Sequence, residues 1–260
     1  VIVTDHKKAP QQGKNVTVKG DLGQSAAGKT DKNGELTVPE VEQTERHGVY
    51  IVGYTDGTFG PSRSMTRAEA AAIFARLLAE KNGDTISTAA NTKFADIPAH
   101  AWYSGYVKYL SNNGIAYGKS KTIFAPNDAI TRAEFTTMAV RFFDVYGDGD
   151  AEIMEQFSGF NDVSSGYWAA EYIKYAALHG WINGYGDGSF HAEREINRAE
   201  VVTIVNRLLG READEDYIAD NLRKLNTFPD VSRKHWAYYA VMEAANAHTA
   251  VLGENESWSK

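Results

Sequence analysis

Thr66-Arg67-Ala68-Glu69 recurs as Thr131-Arg132-Ala133-Glu134 and again as Asn197-Arg198-Ala199-Glu200, and this triple decides the fold. The arginines are 65 and 66 residues apart, and a phenylalanine stands eight positions before each of them: Phe59, Phe124 and Phe190. A second motif keeps the same beat as Phe94-Ala95-Asp96-Ile97, Phe160-Asn161-Asp162-Val163 and Phe228-Pro229-Asp230-Val231. Six residues after its aspartate comes Trp102, Trp168 or Trp236. Self-similarity at a fixed period means that each copy is one supersecondary unit burying its apolar face against its neighbours.

Thr66 with Glu69, Thr131 with Glu134 and Asn197 with Glu200 fit the capping box, so each arginine motif opens a helix. Behind it, Ile73, Phe74, Leu77 and Leu78, and likewise Ile204, Val205, Leu208 and Leu209, fall at helical three-four spacing and form core faces. Tyr106, Val107 and Leu110, or Tyr172, Ile173 and Ala176, mark a shorter helix after each tryptophan. Gly114 and Gly180 stop it in a left-handed cap. The third copy has His248 at that place, so its helix should end differently or fray. Between the two helices lies a glycine turn, Gly53-Tyr54-Thr55-Asp56-Gly57 and Gly184-Tyr185-Gly186-Asp187-Gly188, which the middle copy replaces with Gly118-Lys119-Ser120-Lys121-Thr122.

Residues 1–58 hold neither Phe nor Trp, so the first arginine motif lacks a preceding F-x-D half, whereas residues 228–252 supply that half unpaired. The sequence therefore predicts a mainly α fold: a closed, pseudo-threefold helical bundle of three repeats, each a short helix, a loop and a longer helix. The expected domains are a β-type segment over 1–45 and a repeat domain over 46–260. In the latter, 47–81 is the second half of repeat one, 94–148 is repeat two and 160–216 is repeat three, with 228–252 completing repeat one. The β-type segment rests on Val16-Thr17-Val18, a turn at Asp31-Lys32-Asn33-Gly34, and Leu36-Thr37-Val38 before Pro39. It weakly resembles part of an immunoglobulin-like or prealbumin-like module, and Glu40 to Arg46 reads as a charged linker.

Composition narrows the function. With 27 basic and 34 acidic residues the formal charge is −7, which disfavours a phosphate-binding surface for nucleic acid. The chain has no cysteine, so disulfides, thiol nucleophiles and thiolate-bound metals are excluded. No run approaches a membrane span, and a chain that starts at Val1 without a signal-peptide pattern is expected to be a mature or truncated piece.

The linked motifs resemble the S-layer homology family of bacterial surface proteins. The matching residues include His235-Trp236-Ala237, Tyr54-Thr55-Asp56-Gly57-Thr58-Phe59 and Ile130-Thr131-Arg132-Ala133-Glu134, and the resemblance covers about residues 47–252. It implies an extracellular location at the cell wall and a non-enzymatic role. That role is to tether a secreted protein by binding a secondary cell-wall polysaccharide, commonly pyruvylated, or peptidoglycan, in grooves between repeats. Self-association into a surface layer, or hydrolysis of the wall glycan, are the alternatives.

Carried onto this sequence, Arg67, Arg132 and Arg198 are candidates for the acidic group of the glycan, with the helix N-terminus adding positive potential. Trp102, Trp168 and Trp236 are candidate walls for sugar rings, and Asp96, Asp162 and Asp230 candidate acceptors for sugar hydroxyls. Each has a competing structural role. The arginines can pair with a neighbouring repeat's carboxylate; a bulky aromatic opening a short helix usually packs, so burial is expected for the tryptophans; an N-capping role is expected for the aspartates. Because Asn197 replaces threonine and the middle turn lacks Asp-Gly, unequal grooves are expected, at most two of the three binding well.

No cofactor or metal is expected. Asp31, Asn33, Gly34 and Glu40 outline a calcium loop whose first position would be Lys29, which repels the ion. Asp148, Asp150 and Glu152 read as a solvated acidic linker, and His6, His47, His100, His179 and His191 make no i, i+4 pair.

Overall fold

A computed structural model of the chain describes residues 15–19, 25–29, 31–33, 43–147, 157–252 and 257–259. It divides into two units, one of residues 1–45 with 251–253 and one of 46–250 with 254–260. In the first, β1 (Asn15–Lys19) pairs antiparallel with β2 (Ser25–Lys29), Thr17 opposite Ala27. Asp31 folds back to accept from the Asn33 amide at 2.7 Å, as a tight turn does. Leu36-Thr37-Val38, most of the calcium-loop outline and the acidic stretch 148–152 lie outside the described residues.

The second unit is the repeat assembly. Three longer helices, α1 (Arg67–Asn82), α3 (Arg132–Tyr146) and α5 (Arg198–Leu209), alternate with short ones, α2 (Ser104–Asn112), α4 (Ala170–Leu178) and α7 (Tyr238–Ala245), and α6 (Glu215–Asn221) precedes α7. Short helices pack on long ones as α2 on α1, α4 on α3 and α7 on α5. A strand β3 (Gln43–His47) lies where a charged linker was expected from sequence. With β4 (His248–Leu252) and β5 (Ser257–Ser259) it makes a small sheet in the order β3-β4-β5, and pairing to β4 satisfies backbone that charge alone does not reveal.

All three capping boxes form: Thr66, Thr131 and Asn197 each accept from the third helical amide, and the matching glutamate returns to the cap amide. A helix start still leaves its first two amides without partners. Here the next repeat supplies them. Arg67 N donates to Asp128 O and Ala68 N to Pro126 O, Arg132 N to Arg194 O and Ala133 N to Ala192 O, Arg198 N to Arg63 O and Ala199 N to Pro61 O.

On the pseudo-threefold axis, three buried residues close a ring of backbone bonds: Met65 N to Ile196 O at 2.9 Å, Ile130 N to Met65 O at 2.9 Å and Ile196 N to Ile130 O at 3.0 Å. No two repeats make this arrangement alone, so the assembly is cooperative across all three.

The aspartates of the F-x-D motif are not helix caps. The N-cap residues of α2, α4 and α7 are Tyr103, Ala169 and Ala237, none with a side-chain cap bond. Instead each carboxylate grips the loop entering the arginine motif. Asp96 accepts from Phe124 N at 2.9 Å and Ala125 N at 2.7 Å, and Asp162 from Phe190 N and His191 N, both at 2.7 Å. Asp230 accepts from Phe59 N at 2.9 Å and Gly60 N at 2.7 Å, reaching across 171 residues of sequence to do for the first arginine motif what Asp96 and Asp162 do within their own copies. Beside each grip the two phenylalanines of the unit meet: Phe94 with Phe124, Phe160 with Phe190, and Phe228 with Phe59. The turn glycines are required by that contact, since a Cβ on Gly53 or Gly184 would lie 2.5 Å from the ring of Phe228 or Phe160.

Gly114 and Gly180, at φ +72° and +70°, follow the ends of α2 and α4. The third short helix ends without a glycine and does not fray among the described residues: Asn246 Nδ2 donates to Met242 O at 3.0 Å, and His248 passes into β4.

Candidate functional site

Each pair of neighbouring repeats encloses a groove, and the three grooves have the same plan. One is lined by Arg198 from the start of α5, Tyr54 of the turn, Glu69 and Arg76 of α1, and Trp102. The second has Arg67, Lys119, Glu134, Arg141 and Trp168. The third has Arg132, Tyr185, Glu200, Arg207 and Trp236. Their volumes are about 260, 300 and 220 Å³ in that order.

The floor of each groove is an arginine locked between repeats. Arg67 Nε donates to Phe124 O at 2.9 Å and its Nη2 to Tyr117 O at 2.8 Å, while Nη1 lies 3.2 Å from Glu134 Oε1. Arg132 repeats this with Phe190 O, Asn183 O and Glu200 at 3.3 Å, and Arg198 with Phe59 O, Val52 O and Glu69 at 3.8 Å. The planar fork of donors matches two carbonyls and a carboxylate at once, which a lysine cannot do. Burial holds the guanidinium groups of Arg132 and Arg198 below their ordinary pKa, opposed by the nearby tyrosine and glutamate. These side chains are 4 to 5% exposed, so their foremost work is to join repeats, and the pairing with a neighbour's carboxylate is the arrangement present. The helix-end amides are likewise taken by the neighbouring repeat, so the helix terminus offers no free donors to a ligand.

The tryptophans were expected to pack, and they do not: Trp102, Trp168 and Trp236 are 53, 56 and 64% exposed. Val107, Ile173 and Val241 of the short helices are buried in the core, whereas each indole stands at a groove rim as an apolar wall. The aspartates 96, 162 and 230 do not line any of the three grooves.

Sequence reasoning passed over a second cation in each groove. Arg76, Arg141 and Arg207 sit nine residues after Arg67, Arg132 and Arg198, in the same register, and that repetition was the available signal. Arg76 lies over the Tyr106 ring at 5.2 Å, and Arg141 over Tyr172 at 5.0 Å, so cation–π contact orients them while leaving donors toward the groove. In the third groove the matching aromatic is absent, because Ala240 follows Trp236 by four residues where the other copies have tyrosine.

The middle groove departs in a compensated way. In the outer two, the turn tyrosine reaches the capping glutamate, Tyr54 OH at 3.5 Å from Glu69 and Tyr185 OH at 3.2 Å from Glu200, with Arg63 or Arg194 over its ring. Lys119 holds the tyrosine position and Asp128 the arginine position, and they pair at 3.3 Å, with Lys119 Nζ 3.9 Å from Glu134.

The repeating residues match the S-layer homology domain at 37–71, 93–136 and 159–202. The repeat region belongs to the S-layer homology family. Among S-layer homology relatives, "Cell surface glycoprotein 1" of Acetivibrio thermocellus is 34% identical over 81% of this chain and 9% of its own length. The "Cellulosome-anchoring protein" of the same organism is 30% identical over 89% of this chain and 49% of its own length. The "Surface-layer 125 kDa protein" of Lysinibacillus sphaericus is 32% identical over 61% of the chain and 13% of its own length. The chain thus spans half or less of these relatives.

Proposed function

We propose that this chain is a non-covalent anchor that fixes a secreted protein at the bacterial cell surface by holding an anionic secondary cell-wall polysaccharide in the inter-repeat grooves. The observation that carries the reading is the threefold recurrence, in one geometry, of an exposed tryptophan beside two arginines. An indole face suits the apolar side of a sugar ring, and the outer arginines, Arg76, Arg141 and Arg207, suit a carboxylate such as that of a pyruvyl ketal. The buried arginines 67, 132 and 198 contribute charge from the floor and rigidity more than direct contact. Names of relatives that include anchoring and surface-layer proteins agree with a wall-binding module.

A binding role is favoured over hydrolysis because each groove lining has a single carboxylate, Glu69, Glu134 or Glu200, already engaged by its helix cap and an arginine. Hydrolysis of glycosides commonly needs two carboxyl groups facing one bond. We assign residues 228–252 as the missing first half of repeat one, on the Asp230 grip and the packing of α7 on α5. The Lys119–Asp128 exchange gives the middle groove a different rim from the outer two, so the outer pair should share one ligand preference and the middle groove differ.

Cosedimentation with purified sacculi, before and after acid extraction of secondary polymers, tests the reading. Binding that disappears on extraction, and that weakens in Arg76→Ala, Arg141→Ala and Arg207→Ala, is expected. Undiminished binding to stripped sacculi would make peptidoglycan the target. Absence of binding together with concentration-dependent sheets would make lattice assembly the function.

A further inference from the structure

Away from the grooves, His47 of β3, Glu243 of α7 and His248 of β4 converge in the interior, 201 residues apart in sequence at the extremes. All three are buried. His47 Nδ1 lies 3.3 Å from Glu243 Oε1, His248 Nε2 lies 3.3 Å from Glu243 Oε2, and the two ring nitrogens are 3.1 Å apart. Zinc bonds nitrogen and carboxylate oxygen at about 2.0–2.2 Å, so tetrahedral ligands stand about 3.3 Å from one another. The two ring nitrogens, 3.1 Å apart, and the 3.3 Å from each ring to its own oxygen of Glu243 lie close to that value.

The surroundings favour a cation at the centre. His248 Nδ1 is 3.0 Å from Asn246 O, where an N–H donates. That contact occupies one side of the ring and turns the other nitrogen, Nε2, toward His47 and the Glu243 carboxylate. Both oxygens of Glu243 are buried without a hydrogen-bond donor in acceptable geometry. A buried carboxylate so placed demands positive charge. The Trp258 indole stacks on the His248 ring at 3.8 Å and closes that side, with its own N–H given to Glu212 O.

The geometry points to a structural divalent-metal site, zinc by its nitrogen-rich donor set, formed by His47, Glu243 and His248, with a fourth position left for water. Its ligands come from β3, ahead of the first arginine motif, and from α7, the last short helix, with the strand β4 that follows it. A bound ion therefore ties together the two ends of the repeat ring. A search for histidine pairs along one helix does not find it, because the ligands meet only when the ring closes.

The test uses the full chain freed of metal with EDTA and titrated with zinc by calorimetry, with cobalt(II) as the spectroscopic probe. The wild type is expected to take up a single zinc ion per chain, to unfold at higher temperature with zinc than with EDTA, and to give the intense visible bands of tetrahedral cobalt. Glu243→Gln and His248→Ala should weaken uptake by more than about tenfold and abolish those bands. If the wild type binds no stoichiometric zinc, the cluster is an imidazolium–carboxylate pair only and the proposal fails. It fails equally if the folded Glu243→Gln chain binds zinc as the wild type does. Should both variants fail to fold, the wild-type cobalt spectrum decides alone, an octahedral spectrum overturning the site.

Discussion

Replacing Asp230 by alanine removes both acceptors that hold the loop at Phe59 and Gly60 and leaves two amides, in residues buried in the structure, without partners. An unsatisfied buried donor costs about 1–3 kcal/mol, and the carboxylate itself is partly in water, so a loss of about 2–4 kcal/mol is expected. For a chain of this size each kcal/mol lowers the midpoint by about 2–4 °C, which puts the shift at roughly 5–15 °C. Thermal unfolding followed by circular dichroism reads it, with Asp96→Ala and Asp162→Ala as matched comparisons and Asp216→Ala, at an exposed position of α6, as a surface control. The three grip variants should fall together although Asp230 alone acts across 171 residues of sequence. A loss below about 0.5 kcal/mol for Asp230→Ala, beside large losses for the other two, would refute closure of the ring by residues 228–252.

Other outcomes follow from the same geometry. Arg132→Ala should destabilise by about 3 kcal/mol in urea denaturation, since it strips two carbonyls of their partner and removes one of the two arginines beside Glu200, and Arg132→Lys should recover only part of that. Trp102→Ala, Trp168→Ala and Trp236→Ala should each change stability by less than about 1 kcal/mol, because the rings are more than half exposed, while weakening wall binding in cosedimentation. Thr131→Ala should cost about 1 kcal/mol through its cap, whereas Asn197→Thr should be near neutral, both read from urea midpoints. Against some desolvation, the amides of Phe190 and His191 hold the Asp162 carboxyl below its ordinary pKa. A depressed folded pKa stabilises the fold above the unfolded value near about 3.9, and that contribution disappears as pH falls through the folded value. Stability measured from pH 5 downward should therefore fall less steeply in Asp162→Asn than in the wild type.

The repeat and its caps were legible because they are local: Thr66 with Glu69 states a helix start within four residues, and the F-x-D beat fixes the register of the copies. The proposed assignment of 228–252 to repeat one was suggested by an excess at one end and a deficit at the other, and the Asp230 grip supports it. What each site residue does was less so. Whether Asp96 caps its own helix or grips Phe124 depends on a contact 28 residues away. The tryptophans looked like core because a large aromatic at a helix start usually packs. Here Tyr103 and Ala169, the N-cap residues next to two of them, are buried, and the indoles are displaced to the rims. Arg76, Arg141 and Arg207 were hidden inside helices read only for their apolar stripe. His47, Glu243 and His248 carry no mutual spacing at all, and only the sheet of β3 with β4 brings them together.

The central claim is that the grooves hold an acidic wall glycan, and calorimetric titration of the purified chain with solubilised secondary wall polymer tests it most directly. The account predicts saturable binding that is lost when Trp102, Trp168 and Trp236 are all changed to alanine in a chain whose unfolding midpoint is little altered, and that weakens when the polymer's carboxylates are removed. Equal heat from the triple variant and the wild type would contradict it.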